Sequence, residues 1–255
     1  MNAIDLSPIL AEVIDATTKG YPLSAAPLPL SAIGTQGWSL LDGDLPLPLA
    51  VIRDSALAHN HTWMRDFTVA TGVLLAPHGK TTMAPQIFAQ QLAAGAWGMT
   101  VANVQQLGIC TAFGVRRVLM ANQLLGALEV RTVIGLLRRH PDLEFHFLID
   151  SAAQLEAIEA AAAADPPPRK LTALIELGVP GGRTGVRTHD AALALAGAIG
   201  ISMSYDASRL PIVRIASAGS GQDCTRDHTS SAGCKPGRTC HSPPLRALTP
   251  ASRRS

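Results

Sequence analysis

An α/β fold of repeated strand and helix units, closed as a barrel or laid out as a doubly wound sheet, is what this sequence predicts. Three observations carry that prediction. From about residue 49 onward, short β-type runs alternate with longer stretches of helical pattern. The short runs are continuously apolar rather than alternating, as strands buried on both faces of a parallel sheet are. Boundary signals then fall where the alternation needs them: Asp150 and Ser151 stand where an N-cap belongs, and Gly95 and Gly114 stand where a helix stops ahead of another strand.

In chain order, LAVI (49–52) precedes the helical stretch ALAHNHTWMRDFTVATG, VLLA (73–76) precedes MAPQIFAQQLAAGA, and GMTVAN (98–103) precedes VQQLGICTAFG. VLMAN (118–122) leads into LLGALEVRTVIGLLRRH, FHFLID (145–150) into SAAQLEAIEAAAAA, and LTALIEL (171–177) into THDAALALAGAIG. His59 and His61 fall on the first of these helices, where an amphipathic pattern makes a solvated or satisfied histidine the expectation. The domain reading is an N-terminal extension over 1–48, a β/α unit over 49–200, and a tail over 201–255. That tail is rich in Ser, Arg, Thr, Pro, Gly and Cys, so it lacks the apolar surface that offsets ordering a backbone and reads as disordered or out of frame.

Bulk composition narrows the function classes. With 255 residues, 47% apolar, 16% charged and a formal net charge of +2, the chain is a globular protein without the basic excess expected of a nucleic-acid binder. Its first residues lack a cationic start and cleavage site, and no run reaches bilayer-spanning length, so membrane partners are not expected and the cytoplasm is. Cys110 sits in a helical pattern as a small core residue. Cys224, His228, Cys234, Cys240 and His241 are zinc-ligand types, but they lack the paired close spacing of structural zinc sites, so no metal is assigned to them.

In folds of this class functional residues gather on the loops after the carboxyl ends of the strands. Those loops are PHGKT, ANVQQ, ANQLLG, IDSA and GVPGGRTG. Lys80, at a strand end and partly desolvated, would lose its charge more easily and serve as an amine nucleophile; the same position also suits an ordinary solvated lysine. His78, two residues earlier in an extended stretch, would share its side and hydrogen-bond near it, or stand as a polar loop histidine. Asn103, Asn122 and Gln123 end strands on the same rim, where an amide can meet a ligand or only close a loop. Trp97 reads as packing.

The blocks LPLAVIRDSALAHN, LLAPHGKTTMAPQIFAQQLAAGAWGMTVANVQQ, GVRRVLMANQLLG and IELGVPGGRTGVRT together resemble the D-threonine aldolase and D-serine dehydratase-like family, in its amino acid deaminase version, a group allied to the alanine racemase N-terminal domain. The resemblance runs from about Gly34 to Gly200. It implies an alanine-racemase-type (β/α) TIM barrel and a pyridoxal 5'-phosphate-dependent lyase acting on D-amino acids with a 3-hydroxyl, by dehydration or aldol cleavage. Lys80 then matches the lysine that holds the cofactor, Arg183 the arginine beside its phenolic oxygen, and His78, Asn103 and Gln123 are the accompanying cofactor-binding candidates. A racemase, or a non-catalytic pyridoxal-phosphate-binding protein, is the alternative.

The resemblance also implies a divalent metal bound from a carboxyl-terminal region, and a homodimer. Neither that region nor its ligands are found in this chain. About five of the eight strand and helix units of such a barrel are present. An incomplete barrel, truncated or frameshifted near residue 200 and impaired in activity, is therefore the expectation.

Overall fold

A computed structural model describes residues 4–202. Nearly all of the predicted tail, with its cysteines and histidines, lies outside the described residues.

The N-terminal portion holds a short helix α1 (Ser7–Leu10) and the paired strands β1 (Val13–Ile14) and β2 (Leu28–Pro29). Tyr21 anchors it: the ring is buried, meets Trp38 edge-on at 5.4 Å, and donates its hydroxyl to the Ala26 carbonyl at 2.5 Å. There follow α2 (Asp54–Thr71), α3 (Pro85–Ala93), β3 (Met99–Val101), α4 (Val104–Ala112), β4 (Arg117–Gln123), α5 (Ala127–Arg139), β5 (Glu144–Ile149), α6 (Ala152–Ala164), β6 (Thr172–Ile175) and α7 (His189–Ser202).

Strands β3 to β6 form one parallel sheet in chain order, with Met99 beside Val118, Val118 beside Phe145 and Phe147 beside Ala173. Each strand lies next to its predecessor, and consecutive helices α4, α5, α6 and α7 touch one another in the same sequence. Strand order that never reverses, with all crossovers on one side, is the pattern of a barrel wall and not of a doubly wound sheet. Among the described residues the strands form an α/β arc of such a wall.

Alternation of the strand residues decides where the core sits. Val118, Met120, Phe145, Phe147 and Ile149 point to the helical side and are buried against Leu107 and Cys110 of α4, Val130, Val133, Ile134 and Leu137 of α5, and Leu155 and Ile158 of α6. On α5 the buried positions recur at three and four residues, the apolar stripe of a helix packed by one face. Burying such a side chain contributes about 2 kcal/mol each. The opposite face carries Leu119 and His146, which are only half-buried.

Two predicted strands are absent. Residues 49–52 form no ladder, and Val51 and Ile52 are 62% and 64% exposed, so an apolar run without a neighbouring strand stays a loop. Residues 73–76 come nearer: the carbonyls of Leu75 and Pro77 accept from Trp97 N at 2.7 Å and Thr100 N at 2.8 Å, with a single parallel bridge from His78 to Thr100. Pro77 has no N–H to return, so a full ladder does not form. The helix over 54–71 exists but buries none of its residues, against the amphipathic docking expected of it. The stop signals hold: Gly95 and Gly114 take φ of +100° and +90°, the left-handed turn that ends α3 and α4.

Candidate functional site at the carboxyl rim of the sheet

The carboxyl ends of the strands meet along one edge of the arc, and the sequence decides how each end is finished. Asn103 caps α4, its Oδ1 accepting from Gln106 N at 2.9 Å, while Gln106 Oε1 accepts from Ala102 N at 2.8 Å. Ser151 and Gln154 repeat the arrangement at α6, with Ser151 Oγ accepting from Gln154 N at 3.3 Å and Gln154 Oε1 from Asp150 N at 3.1 Å. These are capping boxes in which a glutamine reaches back to the chain ahead of the cap. Gln154 is buried, and its amide nitrogen also donates to the carbonyls of Leu124 at 3.2 Å and Leu148 at 2.9 Å, which ties the ends of β4 and β5 to the start of α6. Asp150 joins this cap through its backbone N–H alone, and its carboxylate is left for other partners.

The lysine lies on a tight turn. Gly79–Thr81 is a single turn of 3₁₀ helix that begins as the chain leaves the Thr100 bridge, so His78 and Lys80 are not alternate residues of an extended strand as expected. They are neighbours all the same. His78 Nδ1 lies 3.4 Å from Lys80 N and 3.1 Å from the Thr100 carbonyl. Burial of the ring, and then the charge of Lys80, hold the His78 pKa below its ordinary value, against an opposing pull from the Thr100 carbonyl. Lys80 itself is exposed, not partly desolvated, and its ammonium has no hydrogen-bond or ion-pair partner among the described residues.

Gln123, Asp150 and Glu176 converge on the same rim. A shift in the β4–β5 register after Met120 brings Gln123 opposite Leu148, on the face of Leu119 and His146. From there Gln123 Nε2 donates to Asp150 Oδ2 at 3.1 Å and to Glu176 Oε2 at 2.6 Å. Glu176 N donates to the Ile149 carbonyl at 2.9 Å, which sets the two carboxylates side by side. Asn122 turns its amide to the Ala102 carbonyl at 3.1 Å.

Arg183 rides on the loop that follows Glu176, exposed and without a polar partner among the described residues. Another arginine holds that loop together: Arg187 donates to the carbonyls of Thr184 at 2.5 Å and Gly182 at 2.6 Å. Asp150, Glu176, Thr184 and Arg187 are rim residues that sequence reasoning missed. The signal available for the first two was their place, Asp150 as the last residue of FHFLID and Glu176 as the residue directly after the strand in LTALIEL. Trp97 packs at the opposite, amino-terminal end of the strands, 5.7 Å from His146 and under Arg117, as expected of a packing residue. His61 is half-buried, with Nε2 enclosed and unpartnered, while His59 is exposed. Among the described residues no group of three His, Cys, Asp or Glu side chains is gathered as metal ligands would be. No helix among them is long and apolar enough to cross a membrane.

No family model matches the chain. Over 157 residues it is 34% identical to the D-threo-3-hydroxyaspartate dehydratase of Delftia sp. (strain HT23), a match covering 60% of this chain and 39% of that enzyme. The solved structure of the Delftia enzyme superposes with a TM-score of 0.52 at 30% identity, over 60% of this chain and 39% of the other. The D-threonine aldolase from Filomicrobium marinum gives a TM-score of 0.56 at 25% identity, over 62% of this chain and 41% of the other. The chain is thus similar to a D-threo-3-hydroxyaspartate dehydratase and to a D-threonine aldolase over part of each. It spans about two fifths of the length of the relatives it matches. A cysteine-to-alanine variant of a D-threo-3-hydroxyaspartate dehydratase has been solved in a metal-free form. The arc of β3 to β6 has the strand order of a barrel wall, and the rim described above is the end on which barrel enzymes carry their chemistry.

Proposed function

We propose that the chain contributes the lysine-bearing part of a pyridoxal-phosphate-dependent lyase acting on D-amino acids that carry a 3-hydroxyl group, through dehydration or aldol cleavage. In this reading residues 49–200 form the cofactor-binding unit and residues 1–48 extend it. The single observation that carries the reading is Lys80: an exposed, uncommitted primary amine at the carboxyl rim, on a turn seated against β3. An amine free of hydrogen bonds and ion pairs fits a group that is held through an aldehyde.

When bound, pyridoxal phosphate supplies an electron-withdrawing ring that weakens the bonds at the amino acid Cα. The work of the chain's own residues follows from their positions. Lys80 would hold the cofactor, and its amine would be placed to carry a proton to or from the substrate Cα. The His78 pKa is lowered chiefly by burial and then by the Lys80 charge, which favours the neutral ring beside that amine. Arg183 brings a permanent positive charge suited to the cofactor's phenolic oxygen. Asn103 has its oxygen committed to the α4 cap, which leaves only its NH₂ to donate. No step is assigned to a divalent metal, because no ligand group for one is gathered among the described residues.

The test uses the 255-residue chain with pyridoxal phosphate. A visible absorption band is expected, and borohydride reduction followed by peptide mapping places the label on Lys80; a label on any other lysine overturns the assignment. With D-serine or D-threonine, release of a 2-oxo acid marks dehydration and release of glycine with an aldehyde marks aldol cleavage.

A further inference from the structure

Two carboxylates lie side by side at the ends of β5 and β6, and neither Asp150 nor Glu176 forms an ion pair among the described residues. Neutral donors surround them instead. The Gln123 amide nitrogen, 3.1 Å from Asp150 Oδ2 and 2.6 Å from Glu176 Oε2, has two hydrogens and spends one on each. Towards the other side, the same two carboxylates hold the GGRTG loop: Gly185 N donates to Asp150 Oδ2 at 2.9 Å, and Thr184 Oγ1 donates to Glu176 Oε1 at 2.8 Å. Bonds to ionised acceptors are about twice as strong as neutral ones, so the two bonds from the loop fasten it to carboxylates that the two bonds from Gln123 hold in place.

The loop is also fastened within itself. Val186 N donates to the Glu176 carbonyl and Gly178 N to the Val186 carbonyl, both at 2.9 Å, and Arg187 fastens it internally. Gly185 takes φ +94°, and a Cβ there would lie 2.7 Å from Gly178 Cα, so the two strands of the loop are in contact. Arg183, directly before Thr184, is carried wherever Thr184 and Gly185 are held. Like charges side by side repel unless a donor lies between them; withdraw the Gln123 amide and each carboxylate turns towards water, releasing its loop partner.

We infer that Gln123 is a positioning residue that acts on Arg183 through Asp150 and Glu176, latching the arginine loop to the sheet rim, and is not a cofactor contact. The use of the guanidinium rests on the proposed function; the latch itself does not.

Hydrogen exchange on the full chain tests it without any cofactor. Gln123→Ala is expected to raise exchange at the Gly185 and Val186 amides about tenfold, with trypsin cutting after Arg183 correspondingly faster, while amides of β4, β5 and α6 keep their rates. Unchanged exchange at Gly185 and Val186 overturns the inference, and so does a rise that extends equally over β4, β5 and α6, which would make Gln123 a general support. Should Gln123→Ala fail to fold, Thr184→Val removes one tether from the loop side; about a threefold rise at the same amides is expected, and none overturns the latch. Pyridoxal phosphate affinity gives a second reading: Gln123→Ala added to Arg183→Ala should weaken binding no further than Arg183→Ala alone, and additive losses overturn the indirect role. If the wild-type chain forms no visible band, the proposed function fails and the exchange comparison decides the latch by itself.

Discussion

A single ring nitrogen governs the neighbourhood of Lys80. His78 Nδ1 faces a carbonyl, Thr100 O, and an N–H, Lys80 N, and it can donate to the first or accept from the second but not both. Protonation leaves only the donor role and so removes the cap from the lysine's turn. Burial and then the Lys80 charge lower the folded pKa of His78 from 6.5. The folded chain therefore binds fewer protons here than the unfolded one, and this contribution to stability is complete above about 6.5 and lost as pH falls through the lower folded midpoint. A His78 ring titration followed by NMR should show a midpoint below 6.5, and Lys80→Gln should raise it part of the way, because burial is the larger cause. A midpoint that Lys80→Gln leaves in place would put the amine elsewhere. Spacing in the sequence was enough to single out His78 and Lys80, which are local to each other. It could not show that Asp150 serves Gly185, because a partner 35 residues away across a sheet leaves no local pattern.

At the scale of elements, what was legible was whatever a segment decides alone. The helices over 54–71, 85–93, 104–112, 127–139, 152–164 and 189–202 match their periodic stretches, and the glycine stops fall as read. Strands need a neighbour, and the run at 49–52 has none, while the run at 73–76 pairs through its carbonyls only. Asn103 shows how an element's need and a site's need overlap. It ends β3's loop on the functional rim, yet its oxygen is spent on the α4 cap. Asn103→Ala should cost about 1 kcal/mol of unfolding free energy, the usual loss for an N-cap, whereas Asn103→Asp, also a good cap, should cost almost nothing. Urea unfolding of the two variants separates the roles: if Asn103→Asp keeps stability but weakens pyridoxal phosphate binding, the residue also meets the cofactor through its NH₂, and equal binding leaves it a cap only.

For the molecule as a whole, an arc of barrel wall leaves apolar surface at both of its ends. Near the first end Trp63 and Phe67 stack on exposed turns of α2, centroids 5.7 Å apart and 8° from parallel, while remaining 58% and 45% exposed; near the other Leu177, Val179 and Leu193 are 51%, 64% and 58% exposed. Clusters of large exposed side chains are the kind of patch on which chains associate, in contrast to single exposed leucines, which are ordinary. The sequence foreshadowed this, since an α2 read as amphipathic needs a partner for its apolar face, and within the described residues it buries none. The aromatic pair contributes little to α2 itself, about 0.5 kcal/mol for neighbours one turn apart. Replacing both rings with glutamate, Trp63→Glu and Phe67→Glu, is therefore expected to change the urea midpoint only slightly while lowering binding of a hydrophobic fluorescent dye and shifting sedimentation towards a smaller species. If dye binding and sedimentation match those of the wild-type chain, the α2 face is not the surface that associates, and the end marked by Leu177, Val179 and Leu193 becomes the one to alter.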